Sequence, residues 1–320
     1  MADADLLLPG PPPVRWGVIG ATAQIARLAV IPALEASPKC RVVATASLTR
    51  GERYEAVLAD PDVEVVYIPL PNSLHREWTL AAAAAGKHVL CEKPLACSAD
   101  EARDMARVCQ RAGVLLMEAY MTPFHPRSTV LEETLRRGRL GSPRFGRAAF
   151  TGVLKRPDDH RWRPEMGGGA LLDVGIYCVA PLLLAAGGKE PVSVSASAVV
   201  TESGVDTSCS GWLEFESGFT GSFECSFETP ERQSIEFVGT DAAVRMDRSF
   251  TPGQPDSWFE VLDRDGSVER LECGGGDPYR GMVDHVATVI RGGDRLRRPP
   301  AESIALLTVL DRLREAAGLP

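Results

Sequence analysis

Residues 14–35 read VRWGVIGATAQIARLAVIPALE, and how this stretch is parsed decides the fold. An apolar run of strand character stops at Gly20, and apolar residues then recur at helical spacing from Ile25 to Glu35. A strand that feeds a helix through small residues is where a doubly wound sheet seats dinucleotide phosphates, because N–H groups at the helix start face the anion. Counting G-x-G-x-x-G from Gly20 lands on Gly20, Thr22 and Ile25, so one glycine survives, with Ala23 inside the turn and Ala26 the nearest small residue. An ordinary strand-to-helix turn would read the same way.

Outward from this unit the pattern repeats. RVVATAS (41–47), VEVVYIPL (63–70), KHVLCE (87–92) and VLLMEAY (114–120) are apolar runs separated by helical patterns at Arg53 to Ala59, Ser73 to Ala85 and Ala99 to Arg111. That alternation predicts a parallel sheet of βαβ units, and Ser98 with Glu101 predicts a capping box at the last helix. After Gly141 the runs RFGRAAFTG, VSVSASAVV, SCSGWLEFESG, FTGSFECSFE and SIEFVGT alternate or stay apolar between turns such as Ser217 and Gly218. One apolar helix (Gly169 to Ala186) interrupts them, and amphipathic helices near Met282 to Arg291 and Ser303 to Ala317 close the chain. The expected class is α/β: an N-terminal Rossmann-like doubly wound parallel sheet, then a C-terminal α+β domain with a large open, mainly antiparallel sheet. Expected bounds are a disordered Pro-rich leader over 1–13, a nucleotide-binding domain over 14–120 and a substrate-binding and oligomerisation domain over 121–320.

Composition narrows the function. The chain has 320 residues, enough for two cores, and 35 Lys plus Arg against 43 Asp plus Glu give a net charge of −8, which offers no general attraction for nucleic acid or anionic lipid. The acidic N-terminus lacks the charge pattern of a signal peptide, and the oily stretch Ala170 to Ala186 carries Asp173 and Pro181 and is shorter than the roughly 20 residues of a membrane helix. A cytoplasmic protein without a membrane partner is expected. Eight cysteines without a CxxC read as reduced core thiols, and five scattered histidines predict no metal centre.

Three further features carry chemistry. The second strand exits through Ser47, Leu48, Thr49 and Arg50, with no acid from Ala36 to Gly51. Hydroxyls and a guanidinium suit a 2′-phosphate, which favours NADP(H) over NAD(H), although Arg50 also reads as a solvated turn residue. The fourth strand runs into Glu92-Lys93-Pro94, placing an ammonium at the carboxyl edge of the sheet, where it can polarise an oxygen and help deliver a proton. In GGGALLDVGIYCV (167–179), Asp173 and Tyr177 lie four apart on one helix face, so a carboxylate and a phenolic donor can meet one substrate, or else cap a helix and fill a core.

Taken in order, GVIGATAQIA, YIPLPNSLH, HVLCEKPL, LLMEAYMTPFHP and GGGALLDVGIYCV resemble the Gfo/Idh/MocA oxidoreductase family from Val14 to about Gly318. The resemblance implies an NAD(P)-binding Rossmann domain and a C-terminal domain whose open sheet joins subunits into a homo-oligomer, a dimer or a tetramer. It implies that Lys93, beside Glu92, is the family's EKP lysine, that Asp173 orients substrate, and that Tyr177 is the donor found as tyrosine in ketoreductase and dihydrodiol dehydrogenase branches. Pro69, Leu70, Pro71, Asn72 and His75 would lie beside the nicotinamide ribose, and His160, Arg161 and Trp162 would help seat a sugar. HRWRPEMGGGALLDVGIY followed by MDRSFTP looks most like deoxysugar 3-ketoreductases, and less like D-xylose and trans-dihydrodiol dehydrogenases.

The function so implied is NADP(H)-dependent reduction of a keto-sugar, first of all a nucleotide-linked one, with Tyr177 protonating the oxygen and Lys93 lowering the phenol's pKa. Dehydrogenation of a free sugar or a trans-dihydrodiol is the alternative, and ligand binding without turnover a further one. The segment from Leu48 to Val63 is shorter than the family's usual helix, strand and helix.

Overall fold

The computed structural model describes residues 11–251 and 257–319. Residues 1–10 of the expected leader lie outside them, as does Pro252 of MDRSFTP. At the leader's end, the Pro12 and Pro13 carbonyls accept from Arg291 at 3.0 and 3.2 Å.

The first apolar runs become β1 (Val14–Ile19), β2 (Cys40–Ala46), β3 (Val65–Ile68), β4 (His88–Glu92) and β5 (Leu116–Ala119), an all-parallel sheet in the order β2-β1-β3-β4-β5. Every residue of β3 and β5 is buried, as strands covered on both faces require. The connections are helical: a π-wound turn (Ala26–Val30) continuing into α1 (Ile31–Ala36), then α2 (Tyr54–Ala59), α3 (His75–Ala84) and α4 (Ala99–Ala112). At α4 the Ser98 hydroxyl accepts from Glu101 N, while the Glu101 carboxylate accepts from Cys97 N at 3.0 Å, one residue outside the expected reciprocal box. The short segment after β2 holds a 3-10 turn (Leu48–Arg50) and α2 but no strand, and β2 is the sheet's edge.

Past α5 (Pro126–Arg136), β6 (Pro143–Val153) starts the second sheet, and the chain returns through a second π-wound turn (Leu171–Gly175) into α6 (Ile176–Ala185). There follow β7 (Ser193–Val200), β8 (Asp206–Glu214), β9 (Thr220–Ser226), β10 (Glu228–Gly239), β11 (Ala242–Asp247), β12 (Trp258–Asp263) and β13 (Val268–Glu272). The order is β13-β12-β11-β10-β6-β9-β8-β7, antiparallel except for the central β6 and β9 pair. Strands β11 to β13 extend the sheet beyond the five runs that the sequence pattern marks out: β11 and β12 bury only alternate positions, and β13 buries none.

Leu213, Phe219, Phe223 and Phe237 point inward and are buried, and α6 packs on β6, β9 and β10. The opposite face carries Trp212, Phe145 and Val199, which are 42, 59 and 60% exposed. The helical run Pro164–Ala185 is long and apolar enough to cross a membrane, longer than the stretch the sequence suggested, yet two thirds of an apolar 18-residue stretch within it is buried, as a core helix would be. Finally α7 (Pro278–Ile290) packs on α1, and α8 (Pro300–Ala316) on α4, α6 and β7, so the chain's end ties both sheets together.

Candidate active site

The carboxyl ends of β4 and β5 and the start of the α6 run converge on one charged cluster. Lys93, the first residue past β4, places Nζ 2.7 Å from Asp173 Oδ1 and 2.7 Å from the Asp173 main-chain carbonyl. That carbonyl lies in the π-wound turn, a departure from α winding of the kind that gathers at functional sites. Asp173 Oδ2 accepts from Arg161 Nε at 2.8 Å, and Arg161 Nη1 reaches Asp159 Oδ1 at 3.1 Å. Burial alone would raise the Asp173 carboxyl, but Lys93 and Arg161 outweigh it and hold it at about 2, so it is ionised throughout the neutral range.

One turn along the same face stands Tyr177. Its ring packs on Tyr120, Phe150 and Phe250 at centroid separations of 5.1, 5.4 and 5.7 Å, and its hydroxyl donates to Met121 Sδ at 3.6 Å. The Lys93 ammonium lies 5.0 Å from the ring centroid. Burial pushes the phenol well above 10, which corrects the expectation that Lys93 lowers it: the ammonium is drawn onto Asp173 and sits over the ring rather than on the hydroxyl. The phenol therefore keeps its proton at neutral pH and gives it up only to a strongly basic oxygen, such as a developing alkoxide.

The three residues ahead of the helix are divided. Arg161 belongs to the cluster. His160 stands at its edge, 3.3 Å from Asp159 Oδ1, with burial and Arg161 lowering its pKa so that the ring stays neutral. Trp162 is held by Arg156 O at 2.8 Å and by the Phe227 ring at 5.5 Å.

At the other end of the sheet edge, Gly20 adopts φ 87°, and a Cβ there would lie 2.8 Å from Leu70 Cδ2 and 3.3 Å from Pro69 O. Glycine is therefore needed where the Pro69-Leu70 loop crosses the turn. Thr22, Ser47 and Thr49 close a ring of hydroxyls, with Oγ separations of 2.6, 2.8 and 3.0 Å. Ala23 N bonds back to Gly20 O, and Ile25 is half-buried at the helix start. The premise that no acid reaches this corner fails: Glu52, just past the stretch considered, folds back so that Oε2 accepts from Ser47 N at 2.8 Å and pairs with Arg50 at 2.8 Å.

The segment Pro69 to His75 splits in the same way. Asn72 Nδ2 donates to Gly167 O at 2.7 Å, tying this loop to the glycines before α6. His75, fully buried, has its ring nitrogens 2.8 Å from Leu70 O and from Pro94 O, so it braces two loops from inside rather than facing a cofactor. Glu92 also turns inward, accepting from the Tyr67 hydroxyl at 2.6 Å, with burial raising its pKa.

A second buried group had no counterpart among the sequence candidates. Glu118 Oε1 accepts from Leu95 N at 2.8 Å, and its Oε2 from Arg298 Nε at 2.8 Å and from the Ser303 hydroxyl at 2.7 Å. The Arg298 guanidinium lies 4.5 Å from the Tyr120 ring centroid, so the network braces both the Lys93 loop and the aromatic bed of Tyr177. An acid in the apolar run LLMEAY was the visible signal. Among the described residues no group of three or more His, Cys, Asp or Glu is arranged to hold a metal ion.

Residues 14–120 match the family model described as oxidoreductase family, NAD-binding Rossmann fold, and residues 129–245 match the GFO/IDH/MocA C-terminal domain. The chain is 37% identical over 320 residues to D-xylose 1-dehydrogenase (NADP(+)) 2 of Haloferax volcanii, covering 95% of this chain and 97% of that one. It is 35% identical to a dTDP-3,4-didehydro-2,6-dideoxy-α-D-glucose 3-reductase of Saccharopolyspora spinosa, covering 90% of each. Among solved structures, a 3-ketoreductase from Actinomadura kijaniata in complex with NADP and TDP-benzene superposes with a TM-score of 0.87 at 32% identity, covering 95% of this chain and 98% of that one.

Proposed function

The chain belongs to the Gfo/Idh/MocA oxidoreductase family, and on that premise we propose that it is an NADP(H)-dependent ketoreductase acting on a nucleotide-linked keto-sugar. The observation that carries the reading is the placement of Tyr177, a phenol that retains its proton, beside a Lys93 ammonium fixed by Asp173 at the sheet's carboxyl edge. The residues present fit the cofactor. The close crossing over Gly20 keeps the phosphate turn free of a side chain, and the hydroxyls of Thr22, Ser47 and Thr49 would hold the ribose 2′-phosphate, with Arg50 once its guanidinium turns from Glu52 toward it. NADP is the cofactor of the Actinomadura structure and is named for the Haloferax relative, which supports the same choice here.

Bound NADP(H) supplies or accepts the hydride. Lys93 draws the substrate oxygen toward itself and stabilises the negative charge growing on it, and Tyr177 gives that oxygen its phenolic proton. Asp173 stays ionised and holds both Lys93 and Arg161 in place, leaving their outer N–H groups for sugar hydroxyls, with His160 at the rim. We assign cofactor binding to residues 14–120 and substrate binding to residues 121–320, in a cytoplasmic enzyme. A second reading, oxidation of a free sugar, is favoured by the Haloferax relative and uses the same groups in reverse.

Parallel measurement of kcat/KM distinguishes the two. Reduction of a TDP-linked 3-keto-deoxysugar with NADPH should exceed oxidation of D-xylose with NADP+ by at least about tenfold, and the reverse order would replace the first reading with the second.

A further inference from the structure

Three consecutive glycines open the helix that carries Asp173 and Tyr177. A Cβ on Gly167 would lie 2.5 Å from Cys97 Sγ, one on Gly168 2.4 Å from Arg161 O, and one on Gly169 2.0 Å from Asp206 Oδ1. Gly169, at φ 119°, is thus pressed against a carboxylate that arrives from the start of β8. Asp206 Oδ2 accepts from Leu171 N at 2.7 Å, and Leu171 is the first residue of the π-wound turn. The residue preceding that turn, Ala170, provides no side-chain cap of its own.

The N–H groups at a helix start lack partners within the helix, and here the acceptor comes from the second sheet. Asp206 is only 7% exposed. Burial raises its carboxyl to about 6, against the Leu171 amide and the Arg314 charge, which both favour the ionised form. The same turn is held at its far end, where a Cβ on Gly175 would lie 3.1 Å from Cys225 Sγ of β9. Between these two ends the turn offers the Asp173 carbonyl and carboxylate to Lys93.

We propose that Asp206 is a positioning residue for the reaction: a cap delivered by β8 that holds the π-wound turn Leu171–Gly175 and thereby sets how Asp173 and Tyr177 meet Lys93. The proposal rests on the ketoreductase reading for its kinetic arm only. A π-wound turn is an irregular winding that persists where its surroundings hold it. Without the Asp206 acceptor, the Leu171 amide loses its partner, the turn rewinds or frays, and the Asp173 carbonyl moves relative to the ammonium. A misplacement on the order of 1 Å is enough to cost about 10²-fold in rate.

The test compares Asp206→Ala with Asp206→Asn, which keeps an oxygen at the cap, by amide hydrogen exchange of the unliganded protein and by steady-state kinetics. Exchange across 170–177 should rise at least about tenfold in the alanine variant and should not exceed wild type by more than about threefold in the asparagine variant. In parallel kcat should fall by about 10- to 100-fold in the alanine variant with KM for NADPH unchanged, and the asparagine variant should recover most of it. Unchanged exchange in 170–177, an unchanged kcat, or a loosening spread evenly over the whole fold would overturn the proposal. Gly169→Ala, which drives a methyl into Asp206, should reproduce the same pattern and decides the matter if Asp206→Ala does not fold. Should wild type turn over neither carbonyl nor alcohol substrates, the functional reading fails, while the exchange data still judge the cap.

Discussion

Replacing Tyr177 with phenylalanine removes one oxygen atom whose only hydrogen bond among the described residues is a 3.6 Å contact to the Met121 thioether, a weak acceptor that is not left stranded. The ring contacts to Tyr120, Phe150 and Phe250, with centroids 5.1 to 5.7 Å away, do not depend on that oxygen. Stability should therefore change by less than about 1 kcal/mol. If Tyr177 is the proton donor, kcat should nevertheless fall by roughly 10² to 10⁴, or about 2.7 to 5.4 kcal/mol of lost transition-state stabilisation. The assay is NADPH absorbance under saturating substrate, with thermal unfolding on the same samples. Lys93→Met provides the contrast, because it also breaks two 2.7 Å bonds to Asp173 and should cost about 1.5 to 3 kcal/mol of stability besides activity. A Tyr177→Phe enzyme with kcat within about threefold of wild type would show that the donor is another group.

Other consequences are equally direct. NADPH should bind about ten- to a hundredfold more tightly than NADH, Arg50→Ala should erase most of that preference, and Glu52→Gln should enlarge it by freeing the guanidinium from its 2.8 Å partner; titrations showing equal affinities in wild type would mean the 2′-phosphate sits elsewhere. The protein should be a homo-oligomer through the outer face of the second sheet, where Trp212 is 42% exposed, and Trp212→Glu should shift light scattering toward the monomer; a monomeric wild type at micromolar concentration contradicts this. Asp206 should make the fold pH-sensitive. Its folded carboxyl at about 6 lies above the ordinary 3.8, so its proton is held more tightly in the native state, and stability is lost as pH rises through 6, by about 2 to 3 kcal/mol. Asp206→Asn escapes that loss, and its advantage in thermal unfolding should grow from pH 5 to pH 8; a constant difference would reject the assignment.

The parallel sheet was legible because buried strands are continuous apolar runs and the turns between them carry their own signals, as in VRWGVIG ending at Gly20. The nearness of Lys93, Asp173 and Tyr177 was legible for a related reason: a strand end and an i, i+4 helical spacing each fix direction locally. What escaped is set by contacts between distant parts of the chain. Asp206 caps a helix start 35 residues before it, and Glu118 meets Arg298 across 180 residues, so no local spacing marks either pair. Glu52 is not legible as a strand-end acid because it lies past the turn at Gly51, and only the folding back of the chain returns its carboxylate to Ser47. That His75 braces its loop from inside is not legible either, because a histidine that does so and one that faces a ligand share the same sequence.

Hydride transfer to a sugar carbonyl is the step on which the proposed function stands. It is tested most directly by incubating wild-type protein with a TDP-linked 3-keto-deoxysugar and NADPH deuterated at its transferable position, and weighing the product. The product should be an alcohol carrying one deuterium, formed in step with NADPH consumption and at a rate cut by Tyr177→Phe. NADPH that binds but is not consumed, with that substrate or any other keto-sugar, would contradict it and leave a ligand-binding member of the fold.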